Sequence, residues 1–260
     1  MSNSNLKRNV LIIAGHDPSG GAGIHADIEA ITAAGCRALS IITVLTSQDT
    51  RGVKQVWVQD PEQVEQQLKV LLDDIPVHAC KLGLLGSADI VHLLSETLGE
   101  LNIPLVLDPV LQSGAGRDLA SQEVIDAMQS RLFPLTTVIT PNSNEARQLT
   151  NCEQLDQAAS SLLAAGCQSV LITGTHEQSE DVINQLFLDN HETHQYQWPR
   201  LPHNYHGSGC TLASALTAQL ALKKELVAAI EHAQAYTWHT LEHAEQQGQG
   251  QWLPDRFYKR

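Results

Sequence analysis

Val10-Leu11-Ile12-Ile13-Ala14-Gly15-His16-Asp17-Pro18-Ser19-Gly20-Gly21-Ala22-Gly23 begins as an uninterrupted apolar run and ends with four glycines within nine residues. A short apolar run closed by a glycine turn reads as a strand buried on both faces. Ala22–Ala34 behind it reads as a helix. In open α/β sheets ligands bind beyond the carboxyl ends of the strands, so this loop is well placed for a ligand. It is neither Gly-x-Gly-x-x-Gly nor a Walker A loop, because the Gly-Lys-Ser/Thr ending is missing. The plain alternative is a glycine turn with Asp17 as a local cap. The density of glycines favours close approach of backbone to a ligand instead.

The same alternation continues outward. Ala38–Leu45, Ala79–Leu82, Leu105–Leu107, Val138–Ile139 and Val170–Ile172 read as buried strands. Pro61–Asp73, Ala88–Leu98, Gln122–Arg131, Asn144–Leu149 and Leu155–Ala165 read as helices between them. Strand–helix–strand alternation implies an α/β fold, a mostly parallel central sheet with helices on both faces. Val182–Leu188 and Thr193–Trp198, joined by Asp189-Asn190-His191-Glu192, read as a hairpin. Two long helices are expected from about Gly209 to Leu222 and from Leu226 to Gln246, with a less regular tail from Gly248. No linker, repeat or low-complexity segment divides the 260 residues, so a single domain over 1–260 is expected.

Hydrophobic content of 42% is enough for a sizeable core, yet no apolar run is long enough to span a membrane. The N-terminal residues are polar and lack a signal region. Five scattered cysteines without Cys-x-x-Cys spacing argue against a disulfide framework or zinc site, and for the cytoplasm. A net charge of −13 without a basic patch argues against nucleic acid. The acidity has a corollary. If the ligand is a polyphosphate, backbone N–H groups and a metal ion must supply much of its neutralisation.

Asn204-Tyr205-His206-Gly207-Ser208-Gly209-Cys210-Thr211-Leu212 carries the most chemistry. Gly207, Ser208 and Gly209 precede a helix, whose first amides have no internal partner and carry partial positive charge. This is a candidate anion hole with a thiol at its mouth. A thiol at a helix N-terminus is expected to ionise more easily than a free one, which would make Cys210 a base near neutral pH. Leu107-Asp108-Pro109-Val110 and Thr140-Pro141-Asn142-Ser143-Asn144-Glu145 each put a carboxylate at a strand end. With Asn142 they resemble a magnesium–phosphate site. Charge complementarity at the helix start is the plain reading of Glu145. Ser113-Gly114-Ala115-Gly116-Arg117 could close over phosphates or simply connect. Gln48, at a strand end, carries an amide suited to a heterocycle edge. Asp27 on the first helix has a plain reading as a surface carboxylate, and Lys81 faces either solvent or ligand.

Together these motifs resemble the hydroxymethylpyrimidine/phosphomethylpyrimidine kinases of thiamine biosynthesis, within the ribokinase superfamily. The likeness runs from about Val10 to about His243. It rests on Gly15-x-Asp17-Pro18-Ser19-Gly20-Gly21-Ala22-Gly23-Ile24-x-Ala26-Asp27, Lys81-Leu82-Gly83, Asp108-Pro109-Val110, Thr140-Pro141-Asn142-x-x-Glu145 and His206-Gly207-Ser208-Gly209-Cys210-Thr211-Leu212. It implies Cys210 as base and Gly207, Ser208 and Gly209 as the anion hole. It implies Gly15, Asp17, Asp27 and Gln48 at the pyrimidine, and Asn142 and Glu145 at magnesium. Asp108, Arg117 and Thr173 would face the phosphates. Thr173-Gly174-Thr175-His176 stands where many members carry Lys-Gly-Gly-His, and the usual Gly-Pro-Val-rich ending is missing. The resemblance also implies ATP as phosphoryl donor and a homodimer. A pyridoxine kinase of the same fold, or a catalytically silent pyrimidine binder, are the alternatives.

Overall fold

Strand β1 (Asn9–His16) carries the opening apolar run and alternates its side chains between two cores. The structure is a computed structural model that describes residues 6–114 and 116–259; Ala115, in the middle of the Ser113–Arg117 loop, lies outside the described residues. In chain order follow α1 (Gly23–Ala33), β2 (Arg37–Asp49), β3 (Gly52–Val58), α2 (Pro61–Asp74), β4 (Ala79–Leu82), α3 (Ala88–Gly99) and β5 (Leu105–Leu107). Then come α4 (Gln122–Ala127), β6 (Val138–Ile139), α5 (Ser143–Thr150), α6 (Leu155–Ala164), β7 (Ser169–Ile172), β8 (Asp181–Leu188), β9 (Thr193–Pro199), α7 (Ser208–Ala221) and α8 (Leu226–Glu242).

The sheet order is β3-β2-β1-β4-β5-β6-β7-β8-β9. From β2 to β7 neighbouring strands are parallel, while β3 at one edge and β8–β9 at the other are antiparallel. The chain runs from β1 to β2 on one side and returns to β4 on the other, which makes the carboxyl ends of β1 and β4 the switch point where α/β sheets bind ligands. Leu11 and Ile13 of β1 join Leu82, Leu107, Ile139 and the apolar faces of α2, α3 and α6 in one core. Val10 and Ile12 face the other side, toward Ile24 and Ile31 of α1 and Ala218 of α7. Val106, Val138 and Leu171 extend that side against α7 and α8. Helix starts are fixed by local side chains: Asp60 before Pro61, Ser87 before Ala88, and Ser121 before Gln122 each accept a first-turn amide.

Three expectations change. The second strand runs on to Asp49, so Gln48 lies within it. Gly52–Val58 folds back as an edge strand through a turn in which Asp49 Oδ1 accepts the Arg51 and Gly52 amides at 2.9 and 3.1 Å. The fourth helix ends at Ala127 and gives way to a π turn over Met128–Leu132 and a 3-10 turn over Phe133–Leu135, because Pro134 cannot continue an α-helical ladder. The last helix stops at Glu242, four residues early, and the chain then pairs Glu245 with Leu253.

Candidate active site

Lys81 interrupts the apolar strand β4, and the fold encloses it completely. Burying an ammonium demands partners. Nζ lies 3.0 Å from both carboxylate oxygens of Asp27 on α1 and 3.6 Å from Asp108 Oδ2 beyond β5. Ser214 Oγ on α7 donates to Asp27 Oδ1 at 2.7 Å. Burial works against the Lys81 charge, but Asp27, Cys210 and Asp108 together hold the ammonium well above its ordinary value. Gly83 makes room for it, since a Cβ there would come within 2.8 Å of Nζ.

This placement corrects the reading of Asp27. The carboxylate is no surface group: it is fully buried and committed to Lys81 and Ser214. Asp17 is likewise committed. Its Oδ1 accepts Ser19 N and Oγ at 2.8 and 2.7 Å, and its Oδ2 accepts Ala22 N at 2.9 Å and meets His206 Nε2 at 2.8 Å. Asp17 therefore moulds the glycine loop; despite burial, its carboxyl is held below the ordinary range by His206 and Ser19.

The loop and the start of α7 interlock. Gly207 is the N-cap of α7 with φ +77°, and a Cβ there would sit 2.0 Å from Gly21 O. The first helical bond runs from Thr211 N to Gly207 O at 2.9 Å. The amides of Ser208, Gly209 and Cys210 therefore have no intrahelical acceptor. Gly209 is exposed, and its missing Cβ would point toward Asp108 Oδ1 at 3.9 Å. The expected anion hole thus opens toward the end of β5.

Cys210 stands among these groups, but its thiol is not activated. Burial pushes it up to about 12; Asp108 and Asp27 add to that, and Lys81 and the Gly23 amide only partly offset it. Desolvation and the two buried carboxylates thus oppose the lowering expected from the helix start alone.

Glu145 accepts Asn142 N at 2.9 Å while Asn142 Oδ1 accepts Glu145 N at 2.9 Å, a reciprocal capping box. Asn142 thus positions Glu145 at the helix start, and its amide oxygen is engaged there, not directed at a metal. Glu145 Oε1 also meets Leu111 N at 3.4 Å. Burial and the neighbouring Asp108 raise the Glu145 carboxyl to about 8, against the pull of the Asn142 and Leu111 amides. Asp108 Oδ2 is buried without a hydrogen-bond donor. A cation between these two carboxylates would relieve both conditions, so the residues fit a magnesium ion that takes its other ligands from phosphate and water. Among the described residues no three His, Cys, Asp or Glu side chains form a metal cage.

Gln48 lines a cleft of about 380 Å³ with Pro18, Ser19, Thr50 and Gln249. Its amide lies 3.2 Å from Thr46 Oγ1 and 2.8 Å from His206 Nε2. Gly15 closes β1 against Leu84, where a Cβ would meet Cδ2 at 3.1 Å. Thr173 pairs with Asn142 beside β7 through N to Pro141 O at 2.9 Å, so it borders the capping box. Arg117 is corrected: its guanidinium donates to Val53 O and Lys54 O at 3.3 and 2.6 Å, tying the glycine loop to β3 instead of reaching into the anion hole.

Sequence reasoning passed over Ser214, Thr211, and the connecting role of His206. A lysine inside the four-residue apolar strand Ala79–Leu82 was a usable signal, since a buried lysine requires carboxylates nearby.

The family model described as phosphomethylpyrimidine kinase matches residues 17–255. The hydroxymethylpyrimidine/phosphomethylpyrimidine kinase of Streptomyces coelicolor is 39% identical over 233 residues, covering 87% of this chain and 86% of the relative. Among solved structures, phosphomethylpyrimidine kinase from Clostridium difficile is 34% identical with a TM-score of 0.78, covering 89% of this chain and 98% of that one. The ADP complex of Bacillus subtilis pyridoxal kinase is 31% identical with a TM-score of 0.88, covering 96% and 97%.

Proposed function

This chain belongs to the phosphomethylpyrimidine kinase family, a phosphotransferase family of ribokinase-like fold, and from that premise we propose how its residues divide the work. The protein transfers the γ-phosphoryl group of ATP to 4-amino-5-hydroxymethyl-2-methylpyrimidine and then to its monophosphate, in thiamine diphosphate biosynthesis. The observation that carries this reading is the free first turn of α7 facing Asp108, with the Cys210 thiol between them.

Phosphoryl transfer needs alignment and charge stabilisation more than covalent chemistry. The Ser208, Gly209 and Cys210 amides receive negative charge developing on the transferred group. The acceptor lies against Gly15 and Gln48, whose amide fits a heterocycle edge. Cys210 receives the hydroxymethyl proton as the thiolate, after releasing its own proton to solvent, to which the residue is partly exposed. Lys81 keeps Asp27 and Asp108 from repelling incoming phosphates. Asp108 and Glu145 would hold magnesium, which supplies neutralisation of phosphate charge. Thr173 borders the phosphates where a lysine is missing.

Five free cysteines support a reducing, cytoplasmic setting. A homodimer is supported by Leu45 and Trp57, which pair across β2 and β3 and are 40% and 46% exposed. Among the described residues no helix is long and apolar enough to cross a membrane. A pyridoxal-type acceptor is the second reading, favoured by the higher TM-score to pyridoxal kinase, 0.88 against 0.78.

The test incubates pure protein with ATP, magnesium and either the pyrimidine or pyridoxal and reads products by mass. Pyrimidine mono- and diphosphates are expected. Phosphorylated pyridoxal alone would transfer the function to the second reading, and no product from either acceptor would overturn both.

A further inference from the structure

Arg256 lies in the irregular tail, one residue beyond the stretch matched by the family model, yet it is 3% exposed. A buried guanidinium must spend its donors on fixed acceptors. Its contacts converge on the two halves of the active site. One terminal nitrogen, Nη2, donates to Gly21 O, and the other, Nη1, lies 3.4 Å from Gly20 O and 3.1 Å from Glu29 Oε2. Nε donates to Thr211 Oγ1 at 2.9 Å. Thr211 Oγ1 in turn donates to Gly207 O at 2.8 Å. One side chain thus bonds the glycine loop after β1 and, through Thr211, the N-cap of α7.

Two further observations make this a joint. Gly21 O, which accepts from Arg256, is the atom a Cβ on Gly207 would strike at 2.0 Å, so loop and helix touch at the point the guanidinium holds. The tail bearing Arg256 is itself anchored. Tyr236 Oη on α8 donates to Arg256 O at 2.9 Å, and Asp255 N donates to Thr240 O at 3.0 Å. Trp252 N and O bond Asn204 O and His206 N, both at 2.9 Å. The segment just before the anion hole is therefore laced to the tail as well.

Resting on the kinase reading above, we propose that Arg256 is a positioning residue. It fixes the acceptor loop relative to the phosphate-binding start of α7, and so sets the approach of the acceptor hydroxyl to the γ-phosphate. Neither ligand touches it. Each ligand's own wall survives its loss, and the alignment between the walls does not. A displacement of about 1 Å between reacting groups costs about 10²-fold in rate. Lysine is no substitute, since a single ammonium cannot serve Gly21 O and Thr211 Oγ1 in a fixed fork.

The experiment compares wild type, Arg256→Ala and Arg256→Lys. In Arg256→Ala, kcat should fall by about 10²-fold, with calorimetric affinities for the pyrimidine and for ATP little changed, and millimolar guanidinium should restore part of the rate. Amide hydrogen exchange in ligand-free protein should accelerate in peptides covering residues 17–24 and 205–212 together. Unchanged kcat per folded molecule, or unchanged exchange in either peptide, overturns the proposal. Affinity losses as large as the loss in kcat also overturn it, because they reveal a general scaffold role. If the alanine variant does not fold, Arg256→Lys decides: a reduced kcat in a folded protein is expected, and a wild-type kcat refutes. An inactive wild type would remove the kinase reading alone, since the exchange comparison needs no turnover.

Discussion

Lys81 Nζ sits 3.0 Å from both carboxylate oxygens of Asp27, with neither side chain exposed to solvent. The pair joins β4 to α1 beneath the active site, and Asp108 stands 3.6 Å from the same ammonium. One cation therefore balances two buried carboxylates.

Lys81→Met follows from that balance. Removing one partner of a buried ion pair leaves an uncompensated charge, at about 3–5 kcal/mol. Urea titration should give a loss of that size, and adding Asp27→Asn should recover part of it. A single variant as stable as wild type would mean that the pair is not the enclosed structure described above.

Cys210 gives a pH prediction. Its thiol is pushed up to about 12 mainly by burial. A raised thiol value leaves less thiolate at neutral pH, so iodoacetamide should alkylate ligand-free protein more slowly than a free thiol. The kcat should climb with pH beyond the ionisation range of a free thiol, about 8.5. Cys210→Ala should lower kcat by about 10²–10⁴ if the thiol acts as base. A profile already flat near neutrality would exclude the raised value, and near-normal turnover in the alanine variant would exclude the base.

Gln48→Leu should weaken the pyrimidine and spare ATP. The leucine has no amide for the ring or for His206 Nε2, 2.8 Å away in the native protein. A buried polar group left unpaired costs about 1–3 kcal/mol. Calorimetry with each ligand separately checks this, and equal pyrimidine affinity in the two proteins would remove Gln48 from the pocket.

Glu145→Gln should raise the magnesium concentration needed for half-maximal rate. The amide oxygen can still accept from Asn142 N, so the capping box and the fold persist, while the carboxylate facing Asp108 is lost. An unaltered magnesium titration would leave Glu145 with the helix-capping role only.

Glu177 contributes an acid-sensitive element beside β7. Arg147 on α5 bonds it at 2.8 and 3.1 Å and holds its carboxyl down at about 2, from an ordinary 4.5. A depressed carboxylate stabilises above its unfolded value, and that stability is lost as pH falls from about 4.5 toward 2. The pair is partly exposed, so the effect is at most ~1 kcal/mol. Arg147→Met should flatten that part of the acid slope in urea titrations; an unchanged slope would assign it to other groups.

Much of this was legible locally. The run Val10–Ala14 with its glycine turn, and the Gly207–Cys210 start of α7, announce themselves because strand burial, turn geometry and helix starts depend on near neighbours. Asn142 and Glu145 were singled out as a pair at a strand end but read as magnesium ligands; the capping box that joins them across one helical turn was passed over. The alternation of apolar runs and helical faces located most strands and helices and implied the parallel sheet.

What tertiary structure alone decided concerns groups distant along the chain. Strand β3 was missed because an edge strand packs on one neighbour and leaves Lys54, Gln55 and Trp57 outward, which blurs its pattern. Arg117 turned to β3, Asp27 went inside, and burial raised the Cys210 thiol where its helix position alone pointed to a thiolate. The last two outcomes depend on desolvation and on charges brought together from residues 27, 81, 108 and 210, and the first on β3 folding back beside the loop. Sequence specifies which chemical groups exist and which turns carry them; a group's charge state and partner are set by the dielectric and distances that arise only when β4, β5, α1 and α7 close around it.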